Sequence, residues 1–396
     1  MSGDAMSAGR RIETIAVHAG FEPAESLGSV TPPLYQTATF VAGDTADLEA
    51  INAGTKRGYV YSRVRNPTVL AAEQRVAALE DAESAVLFGS GMAAVAGALA
   101  PFLTAGDEVV ALPDIYGGSI RYFTDALPRQ GVTVRWAASL DPADVAACIG
   151  PATKVVYAET PTNPLVRVVD LAALAEISRA AGALLVVDGT LGGPMNQRPL
   201  ALGADLVIHS ASKYLNGHGD LIAGVVVGAR KLTRAVRSAQ QASGAILDPF
   251  GAWLLLRGMT TFAVRMAQHN RNGLAVASWL ADHPAVRTVH YPGLPSHQDH
   301  ALARRQMTGY GGLVSFEVAD GAAARRVVDG CRIFAIGPSI GGVESLVSQP
   351  GNTSHHSVSP ERRASMGISE GLVRLSCGIE AAEDLIADLE TALAAA

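Results

Sequence analysis

The chain has 396 residues, of which 48% are hydrophobic and 17% charged; these proportions are typical of a globular protein and exclude a disordered one. Its net charge of −6 argues against a nucleic-acid partner, and no stretch approaches the roughly 20 apolar residues that a membrane-spanning helix needs. Three cysteines without paired spacing predict no disulfide framework and fit a reducing compartment, so we expect a cytoplasmic protein without membrane contacts.

The first 62 residues are rich in Gly, Pro and Thr and show little hydrophobic periodicity. Such a segment usually wraps over another body or chain, or forms an irregular lead-in. We interpret residues 1–62 as an N-terminal arm that contacts a neighbouring subunit. The pattern then changes, because Asn66 and Pro67 provide a cap residue and a proline at the first position of a helix.

Between residues 63 and 258, short apolar runs alternate with helical stretches. The runs are rich in Val and mostly too short for helices, which predicts buried strands at residues 85–88, 108–112, 132–136, 154–158, 183–187, 205–208 and 223–227. Strands that alternate with helices predict an α/β domain with a mostly parallel seven-stranded sheet. Ligands bind such sheets at the carboxyl ends of the strands, so the chemistry should lie there.

The rhythm changes again after residue 258. A long helical region is followed by a loop, by strand-like pieces at residues 313–318 and 372–376, and by a closing helix. This arrangement predicts a smaller C-terminal α+β domain over residues 259–396.

The first predicted strand ends in Gly89-Ser90-Gly91-Met92 and runs into an apolar helix. Glycines let the backbone approach an anion, and a helix N-terminus offers free N–H groups and the positive end of a dipole. The segment therefore suits a phosphate group. It also matches a dinucleotide-binding fingerprint, with Asp114 after the next strand, and a purely structural turn is a third interpretation.

The residues at two later strand ends decide between these interpretations. The fifth strand ends in Asp188, and Lys213 follows the sixth strand together with Ser210 and Ser212. Taken alone, Asp188 could be a residue that caps a turn, and Lys213 could be an ordinary surface lysine. Pyridoxal 5'-phosphate, however, needs a phosphate cradle, a lysine for a Schiff base and an acid at its pyridine nitrogen. A nicotinamide cofactor leaves Lys213 and Asp188 unexplained, so the sequence predicts pyridoxal phosphate.

Four motifs in this order carry a family resemblance: ETPTNP, VVDGT, HSASKYLNGHGD and GLVRLS. They resemble the Cys/Met-metabolism family of fold-type I pyridoxal-phosphate enzymes, from about His18 to the C-terminus. That family includes cystathionine γ-synthase, cystathionine γ- and β-lyases, methionine γ-lyase and homoserine sulfhydrylases. The resemblance implies a trans-sulfuration enzyme that forms a homo-oligomer, usually a tetramer built as a pair of dimers.

The resemblance also implies the central roles in the reaction. Lys213 would carry the Schiff base, and Asp188 would hold the pyridine nitrogen. Tyr116 would stack on the cofactor ring and donate a proton to departing sulfur. Arg374 would bind the α-carboxylate of an amino-acid substrate as a bidentate fork, with Ser345 beside it.

Further contacts are implied for the cofactor. The residues at its phosphate would be Ser90, Gly91, Met92, Ser210 and Ser212. Asn163 would lie near the phenolic oxygen and the substrate carboxylate. Tyr61 and Arg63 would reach the phosphate in the neighbouring subunit, which implies at least a dimer.

The resemblance leaves the reaction open. KYLNGHGD favours the γ-lyases, whereas Gly118 stands where many methionine γ-lyases carry a reactive cysteine. Glu344 stands at a position where both cystathionine γ-lyases and γ-synthases are similar to this chain. Gly189 replaces the asparagine that is usual in the family and would open space near the cofactor ring. We expect γ-elimination on cystathionine or a related sulfur amino acid such as methionine. γ-Replacement on an O-acyl-homoserine and a non-catalytic cofactor-binding or dinucleotide-binding protein are the alternatives.

The histidines predict no metal site. His297, His300 and the pair His355 and His356 lie in polar, loop-like segments, and no third ligand accompanies them.

Overall fold

Two β-sheets organise residues 9–353 and 360–394, which are the residues that the computed structural model describes. The larger sheet contains seven strands: β1 (Ser84–Phe88), β2 (Glu108–Ala111), β3 (Thr133–Trp136), β4 (Thr153–Glu159), β5 (Leu184–Asp188), β6 (Leu206–His209) and β7 (Gly224–Gly228). The smaller sheet contains β8 (Thr288–His290), β9 (Leu313–Glu317), β10 (Ala335–Ile336), β11 (Leu346–Ser348) and β12 (Leu372–Ser376). His355 and His356 lie outside the described residues.

The helices of the first half are α1 (Ile12–His18), α2 (Thr45–Asn52), α3 (Pro67–Leu79), α4 (Gly91–Leu99), α5 (Gly117–Arg121), α6 (Leu127–Arg129), α7 (Pro142–Cys148), α8 (Leu171–Ala180) and α9 (Gly193–Asn196). Those of the second half are α10 (Arg230–Ser243), α11 (Pro249–Thr260), α12 (Phe262–Ala281), α13 (His300–Gln306), α14 (Gly321–Gly330), α15 (Pro360–Ser365) and α16 (Ala382–Ala394). Among the described helices, none is both long and apolar enough to cross a membrane.

The larger sheet has the strand order β1-β7-β6-β5-β4-β2-β3. Strand β7 runs antiparallel to both of its neighbours, and the other pairs are parallel. Side chains of β4 alternate between two apolar clusters, with Val155 and Tyr157 in one and Val156 and Ala158 in the other. Both faces are therefore buried, which explains the Val-rich strands without polar alternation. The predicted α/β fold with a mostly parallel seven-stranded sheet is confirmed.

Helices cover both faces of this sheet. Helices α3, α8 and α11 contribute to the apolar cluster on one face, and α4 and α10 contribute to the cluster on the other. Helix α3 begins as the sequence predicts, because the Asn66 side chain accepts hydrogen bonds from the N–H groups of Thr68 and Val69 and Pro67 occupies the first helical position.

The smaller sheet has the order β10-β11-β12-β9-β8 and packs against α12, α14 and α16. The two predicted strands of this region are present as β9 and β12. Strands β8, β10 and β11 have three residues or fewer, which is too short for a periodicity to appear in the sequence. Arg374 lies in β12, paired with Ser348 of β11 and Ser315 of β9, so the sheet fixes its backbone on both sides.

Residues 9–62 contain α1, α2 and an isolated bridge between Thr39 and Tyr61, with irregular chain between them. Several large apolar side chains of this segment are open to solvent: Leu27, Val30 and Val41 are at least 90% exposed. Exposed apolar side chains in one segment are typical of a surface that another chain covers.

Candidate active site

A cavity of about 390 Å³ opens at the carboxyl edge of the seven-stranded sheet. It lies where the ends of β4, β5 and β6 meet the beginning of α4 and the residue Arg374 of β12. Most of the predicted site residues line it: Ser90, Gly91, Met92, Tyr116, Asn163, Asp188, Ser210, Ser212, Lys213 and Arg374. Residues from distant parts of the chain meet here because parallel strands collect their carboxyl ends at one edge.

The beginning of α4 forms one end of the cavity. Ser90 caps this helix, since its hydroxyl accepts a hydrogen bond from the Ala93 N–H at 3.0 Å. The first N–H groups of a helix have no intrahelical acceptor, and Gly91 and Met92 provide two of them at the cavity wall. A Cβ on Gly91 would lie 2.9 Å from the Ser210 Cβ and Oγ atoms, so the close approach of this loop requires glycine.

Two serines after β6 extend the same end of the cavity. The Ser210 N–H donates to the Thr190 hydroxyl at 2.8 Å, which ties this loop to the end of β5. The Ser212 hydroxyl accepts from the Ala223 N–H at 2.9 Å and donates to the Ala223 carbonyl at 3.2 Å. Ser212 therefore holds the loop in place, and the Ser210 hydroxyl is the better placed of the two to bind an anion.

Lys213 follows in a tightly fixed turn. Its Nζ donates a hydrogen bond to the Ser339 hydroxyl at 2.8 Å. The buried Arg265 guanidinium donates to the carbonyl groups of Tyr214 at 2.8 Å and Leu215 at 3.2 Å, which holds the backbone beyond the lysine. Burial, with a smaller contribution from Arg374, lowers the pKa of Lys213. A neutral amine is therefore more accessible than at an exposed lysine.

Asp188 lies at the floor of the cavity and is 8% exposed. Its Oδ1 accepts hydrogen bonds from the Thr190 N–H at 3.0 Å and the Thr190 hydroxyl at 2.5 Å. Burial raises the pKa of Asp188, while the Thr190 hydrogen bonds and His209 act in the opposite direction. A cationic hydrogen-bond donor would stabilise the charged form of such a buried carboxylate.

Tyr116 is 45% exposed and lines the cavity beside α4. Its backbone N–H donates to the Glu159 carboxyl at 2.6 Å. Glu159 ends β4, is 2% exposed and pairs in register with Asp188 of β5. Burial and the neighbouring Asp188 raise the pKa of Glu159 well above its ordinary value.

Arg374 is 2% exposed and reaches the cavity from the smaller sheet. It donates to the Asn163 Oδ1 at 3.1 Å and the Pro338 carbonyl at 2.9 Å, whereas its Nε has no hydrogen-bond partner among the described residues. Burial lowers the pKa of Arg374 to about 10. Its described partners are an amide and carbonyl oxygens, so its positive charge remains available to an anionic ligand.

Three predicted site residues are not in the cavity. Tyr61 is 42% exposed, and Arg63 lies over its ring at 5.8 Å and donates to the Gln241 carbonyl at 2.9 Å. Ser345 is fully buried, and its hydroxyl donates to Glu380 at 2.9 Å and accepts from the Gly378 N–H. These bonds hold Ser345 away from the cavity, so the expectation that it lies beside the substrate is corrected: Ser339, from the same segment, lines the cavity instead.

Of the two glycine positions that the sequence singled out, Gly189 differs from expectation. A Cβ on Gly189 would meet the His209 ring at 3.1 Å and Val207 at 3.3 Å, and Gly189 does not line the cavity. The missing side chain therefore opens no space at the cavity. A Cβ on Gly118 would meet the Tyr116 ring at 2.5 Å, so glycine there permits the ring's position.

Sequence reasoning missed Glu159, Thr190 and Ser339. Glu159 carried the same signal as Asp188, an acid at the end of a buried strand, and stood in the quoted motif ETPTNP. Thr190 follows Asp188 by two residues, the spacing of a side-chain turn. Ser339 had no local signal, because its position depends on how the loop between β10 and β11 packs over the other sheet.

The assembled groups fit pyridoxal phosphate. The helix start with Gly91 offers an anion site that a larger side chain would fill. Asp188 offers a buried acceptor, Lys213 an amine of lowered pKa, and Arg374 an Nε without a partner. Each chemical requirement of the cofactor and of an amino-acid carboxylate thus has one matching group in the same cavity. No group of three or more His, Cys, Asp or Glu side chains in the described ranges could hold a metal ion.

The chain matches known proteins over nearly its whole length. The family model for Cys/Met metabolism PLP-dependent enzymes matches residues 13–394. Cystathionine gamma-lyase of Bacillus subtilis is 42% identical over 382 residues, 96% of this chain and 98% of that protein. L-methionine gamma-lyase of Pseudomonas putida is 43% identical over 385 residues, 96% and 97% of the two chains.

A relative with another activity is equally similar: O-succinylhomoserine sulfhydrylase of Pseudomonas aeruginosa is 42% identical over 388 residues, 98% of this chain and 96% of that protein. Among solved structures, metB from Corynebacterium glutamicum superposes with a TM-score of 0.93 at 38% identity and covers 98% of both chains. Cystathionine gamma-lyase from Lactobacillus plantarum, complexed with L-serine, gives a TM-score of 0.92 at 38% identity, covering 98% of this chain and 99% of the other.

Proposed function

Since this chain belongs to the family of Cys/Met metabolism PLP-dependent enzymes, we propose that it eliminates the γ-substituent of a sulfur amino acid such as cystathionine or methionine. The products are a 2-oxo acid, ammonia and a thiol. The observation that carries this proposal is the convergence of Lys213, Asp188 and Arg374 on one cavity. They provide an amine, a buried acid and a guanidinium that has no acidic partner among the described residues, all facing one cavity.

The cofactor contacts follow from this arrangement. Bound pyridoxal phosphate supplies the electron sink that makes the proton at the substrate α-carbon acidic. The start of α4, with the N–H groups of Gly91 and Met92, and the Ser210 hydroxyl hold the phosphate end. Asp188 would bind the pyridine nitrogen, and the hydrogen bonds from Thr190 fix the orientation of its carboxylate. Asn163 would bind the phenolic oxygen, and Tyr116 would stack on the ring.

Arg374 orients the substrate. Its Nη atoms are held by Asn163 and the Pro338 carbonyl, which leaves the guanidinium in one fixed plane. The unpartnered Nε then provides a donor for the α-carboxylate. A guanidinium held in one plane binds the carboxylate in one orientation and so directs the α-proton toward the lysine.

Lys213 moves the protons on the carbon chain. Its amine would take the α-proton as a general base and pass this proton on to the bound cofactor, which returns the amine to its neutral form. The neutral amine would then take a second proton from the β-carbon before the γ-substituent leaves. The lowered pKa of Lys213 supports this role because only the neutral amine accepts a proton. The Ser339 hydroxyl holds Nζ at the cavity wall between these transfers.

Tyr116 donates the proton that the departing sulfur needs. Its ring lies at the cavity wall, and its backbone is fixed by Glu159. The remaining lining is largely apolar, with Val95, Leu191, Leu221, Ile222, Pro338 and Ile340. An apolar wall suits the thioether portion of a sulfur amino acid.

γ-Replacement on an O-acyl-homoserine is the second candidate. The similarity to O-succinylhomoserine sulfhydrylase supports it, because that protein is as similar to this chain as the lyases are. Both reactions use the same proton transfers until the γ-substituent departs. They differ in whether water ends the reaction or a thiol adds to the γ-carbon.

The oligomer completes the site in this proposal. Tyr61 and Arg63 lie outside the chain's own cavity, and the described residues 9–62 expose large apolar side chains. We propose that this arm packs on a neighbouring subunit and that Tyr61 and Arg63 reach the phosphate there. The assembly would then be a dimer at least, and by family resemblance a pair of dimers.

A substrate panel tests the proposed function. Purified enzyme is incubated separately with L-cystathionine, L-methionine, and an O-acyl-homoserine with cysteine, and all products are identified. We expect a 2-oxo acid and a thiol from at least one of the first two. Formation of cystathionine from the third mixture, without 2-oxo acid from the others, would instead establish the replacement reaction.

A further inference from the structure

Glu159 is a second buried acid in the cavity wall, and none of the roles above uses its acidity. It ends β4 beside Asp188 of β5 and is 2% exposed. Its carboxyl accepts hydrogen bonds from the backbone N–H groups of Tyr116, at 2.6 Å, and Asn163. One side chain thus connects the strand end with the two segments that carry Tyr116 and Asn163.

The surroundings of Glu159 disfavour its charged form. The charged groups that act on it in the described part of the chain are two further acids, Asp188 and Asp114, and the phenol of Tyr157 lies near both carboxyls. The two cations of the cavity wall, Lys213 and Arg374, donate hydrogen bonds to other acceptors and not to Glu159. Two adjacent buried carboxyls without a cation between them cannot both be ionised at moderate cost.

The two acids differ in which groups stabilise a charge. Asp188 accepts two hydrogen bonds from Thr190, one of them from the hydroxyl at 2.5 Å, and the His209 ring acts to stabilise its charge. Glu159 faces the carboxyl of Asp188 and has only backbone N–H donors. The negative charge therefore belongs on Asp188 and the proton on Glu159.

We propose that Glu159 remains protonated in the working enzyme and is a positioning residue for Tyr116 and Asn163. Its carbonyl oxygen accepts from the backbone N–H groups, and its lack of charge keeps Asp188 as the anion for the pyridine nitrogen. This role depends on the proposed function, because it assumes the roles that were proposed above for Tyr116, Asn163 and Asp188.

Replacement by glutamine distinguishes a neutral acceptor from a charge. Glu159→Gln retains the oxygen and the length of the side chain, so we expect kcat within about 3-fold of wild type and an unchanged pH profile of kcat/KM. Glu159→Leu removes the acceptor and leaves a backbone N–H unsatisfied, so we expect kcat to fall by about 10-fold or more. Glu176→Gln, at an exposed position of α8, is the matched control for the change of residue type.

Infrared spectroscopy gives a readout that does not depend on turnover. At neutral pH, the difference between the wild-type and Glu159→Gln spectra should contain the C=O stretch of a protonated carboxyl that shifts in D2O. Loss of a carboxylate band instead, or an activity of Glu159→Gln as low as that of Glu159→Leu, would overturn the proposal. If wild type cleaves no sulfur amino acid, the proposed function fails, whereas the infrared difference still decides the state of Glu159.

Discussion

At the residue scale, Lys213 shows how context turns an ordinary side chain into a candidate catalytic one. Alone in the sequence it is a lysine among serines, and in the structure its amine lies in a cavity with Ser339 as its acceptor. Burial lowers its pKa, and Arg374 contributes in the same direction. Arg374, the residue proposed to bind the substrate carboxylate, thus also favours the neutral amine that the proposed proton transfers need.

Arg374→Lys tests the carboxylate fork. A lysine keeps a positive charge but cannot bind a carboxylate bidentately or hold Asn163 and the Pro338 carbonyl together. We expect kcat/KM to fall by about 100-fold or more, mostly through KM, as measured by steady-state kinetics on the preferred substrate. The exposed Arg179→Lys serves as the control, and an unchanged KM in Arg374→Lys would contradict the assignment.

Ser339→Ala and Ser345→Ala test the corrected serine assignment. Removing the Ser339 hydroxyl frees the Lys213 amine, so we expect kcat to fall by about 10-fold while the thermal unfolding temperature stays close to wild type. Removing the Ser345 hydroxyl breaks buried bonds to Glu380 and Gly378, so its unfolding temperature should fall instead. The reverse pattern would restore Ser345 as the substrate-side serine.

Asp114→Asn tests a cost of burial that depends on pH. Burial raises the pKa of Asp114 from 3.8 to about 6, with Arg167 opposing the shift. When the pKa of a carboxyl is higher in the folded protein than in the unfolded chain, the free energy of unfolding falls as the pH rises from the unfolded-state pKa to the folded-state pKa. Asparagine cannot ionise, so the unfolding temperature of the Asp114→Asn protein should exceed that of wild type by about 2–4 °C above pH 6.

The advantage of Asp114→Asn should shrink as the pH falls toward 4, and thermal scans at several pH values measure it. Glu176→Gln should show no such trend. A less stable Asp114→Asn protein at neutral pH would mean that attraction to Arg167 outweighs the cost of burial.

At the scale of elements, the strands were predictable and the loops between sheets were not. All seven strands of the larger sheet occur at or near the predicted positions, because runs of buried Val are a local signal. The ends of these strands placed Asp188 and Lys213 correctly at one edge. Ser345 was expected at the site and Ser339 was missed, because the segment from β10 to β11 is positioned by contacts with the other sheet, which leave no periodicity in the sequence.

The start of α4 carries a prediction of its own. A Cβ on Gly91 would clash with Ser210, so Gly91→Ala should push the helix start away from the loop after β6. We expect pyridoxal-phosphate affinity to fall by about 10-fold or more, measured by titration of the apoenzyme. Gly150→Ala, whose Cβ would meet only the Glu108 carboxylate at 3.4 Å, is the control. An equal affinity in the two variants would argue against phosphate binding at this helix.

At the scale of the whole molecule, the proposal of a shared site rests on two residues and on the N-terminal arm. Tyr61 and Arg63 lie away from the cavity although the sequence motif around them resembles cofactor-binding residues. The exposed apolar side chains of the arm, such as Leu27 and Val41, point to a missing neighbour. The family resemblance assigns both residues to the site of the neighbouring subunit, and this assignment stays a prediction because symmetry between chains leaves no local pattern in the sequence.

Mixing two inactive variants tests this arrangement. Arg63→Ala and Lys213→Ala should each lose nearly all activity, the first through weak cofactor binding. In a mixed dimer, one site would combine an intact Lys213 with an intact Arg63 from the other chain. After exchange of subunits we expect about a quarter of wild-type activity, since half of the dimers are mixed and each has one complete site. No recovery, with mixed dimers shown by mass spectrometry, would place both residues in the same chain's site.

The products formed from L-cystathionine test the central claim most directly. Cleavage at the γ-carbon releases cysteine, 2-oxobutanoate and ammonia in equal amounts, whereas cleavage at the β-carbon releases homocysteine and pyruvate. If the enzyme accepts this substrate, the proposed γ-elimination predicts the first set, which mass spectrometry of the reaction mixture separates from the second. Homocysteine and pyruvate as the main products would contradict γ-elimination.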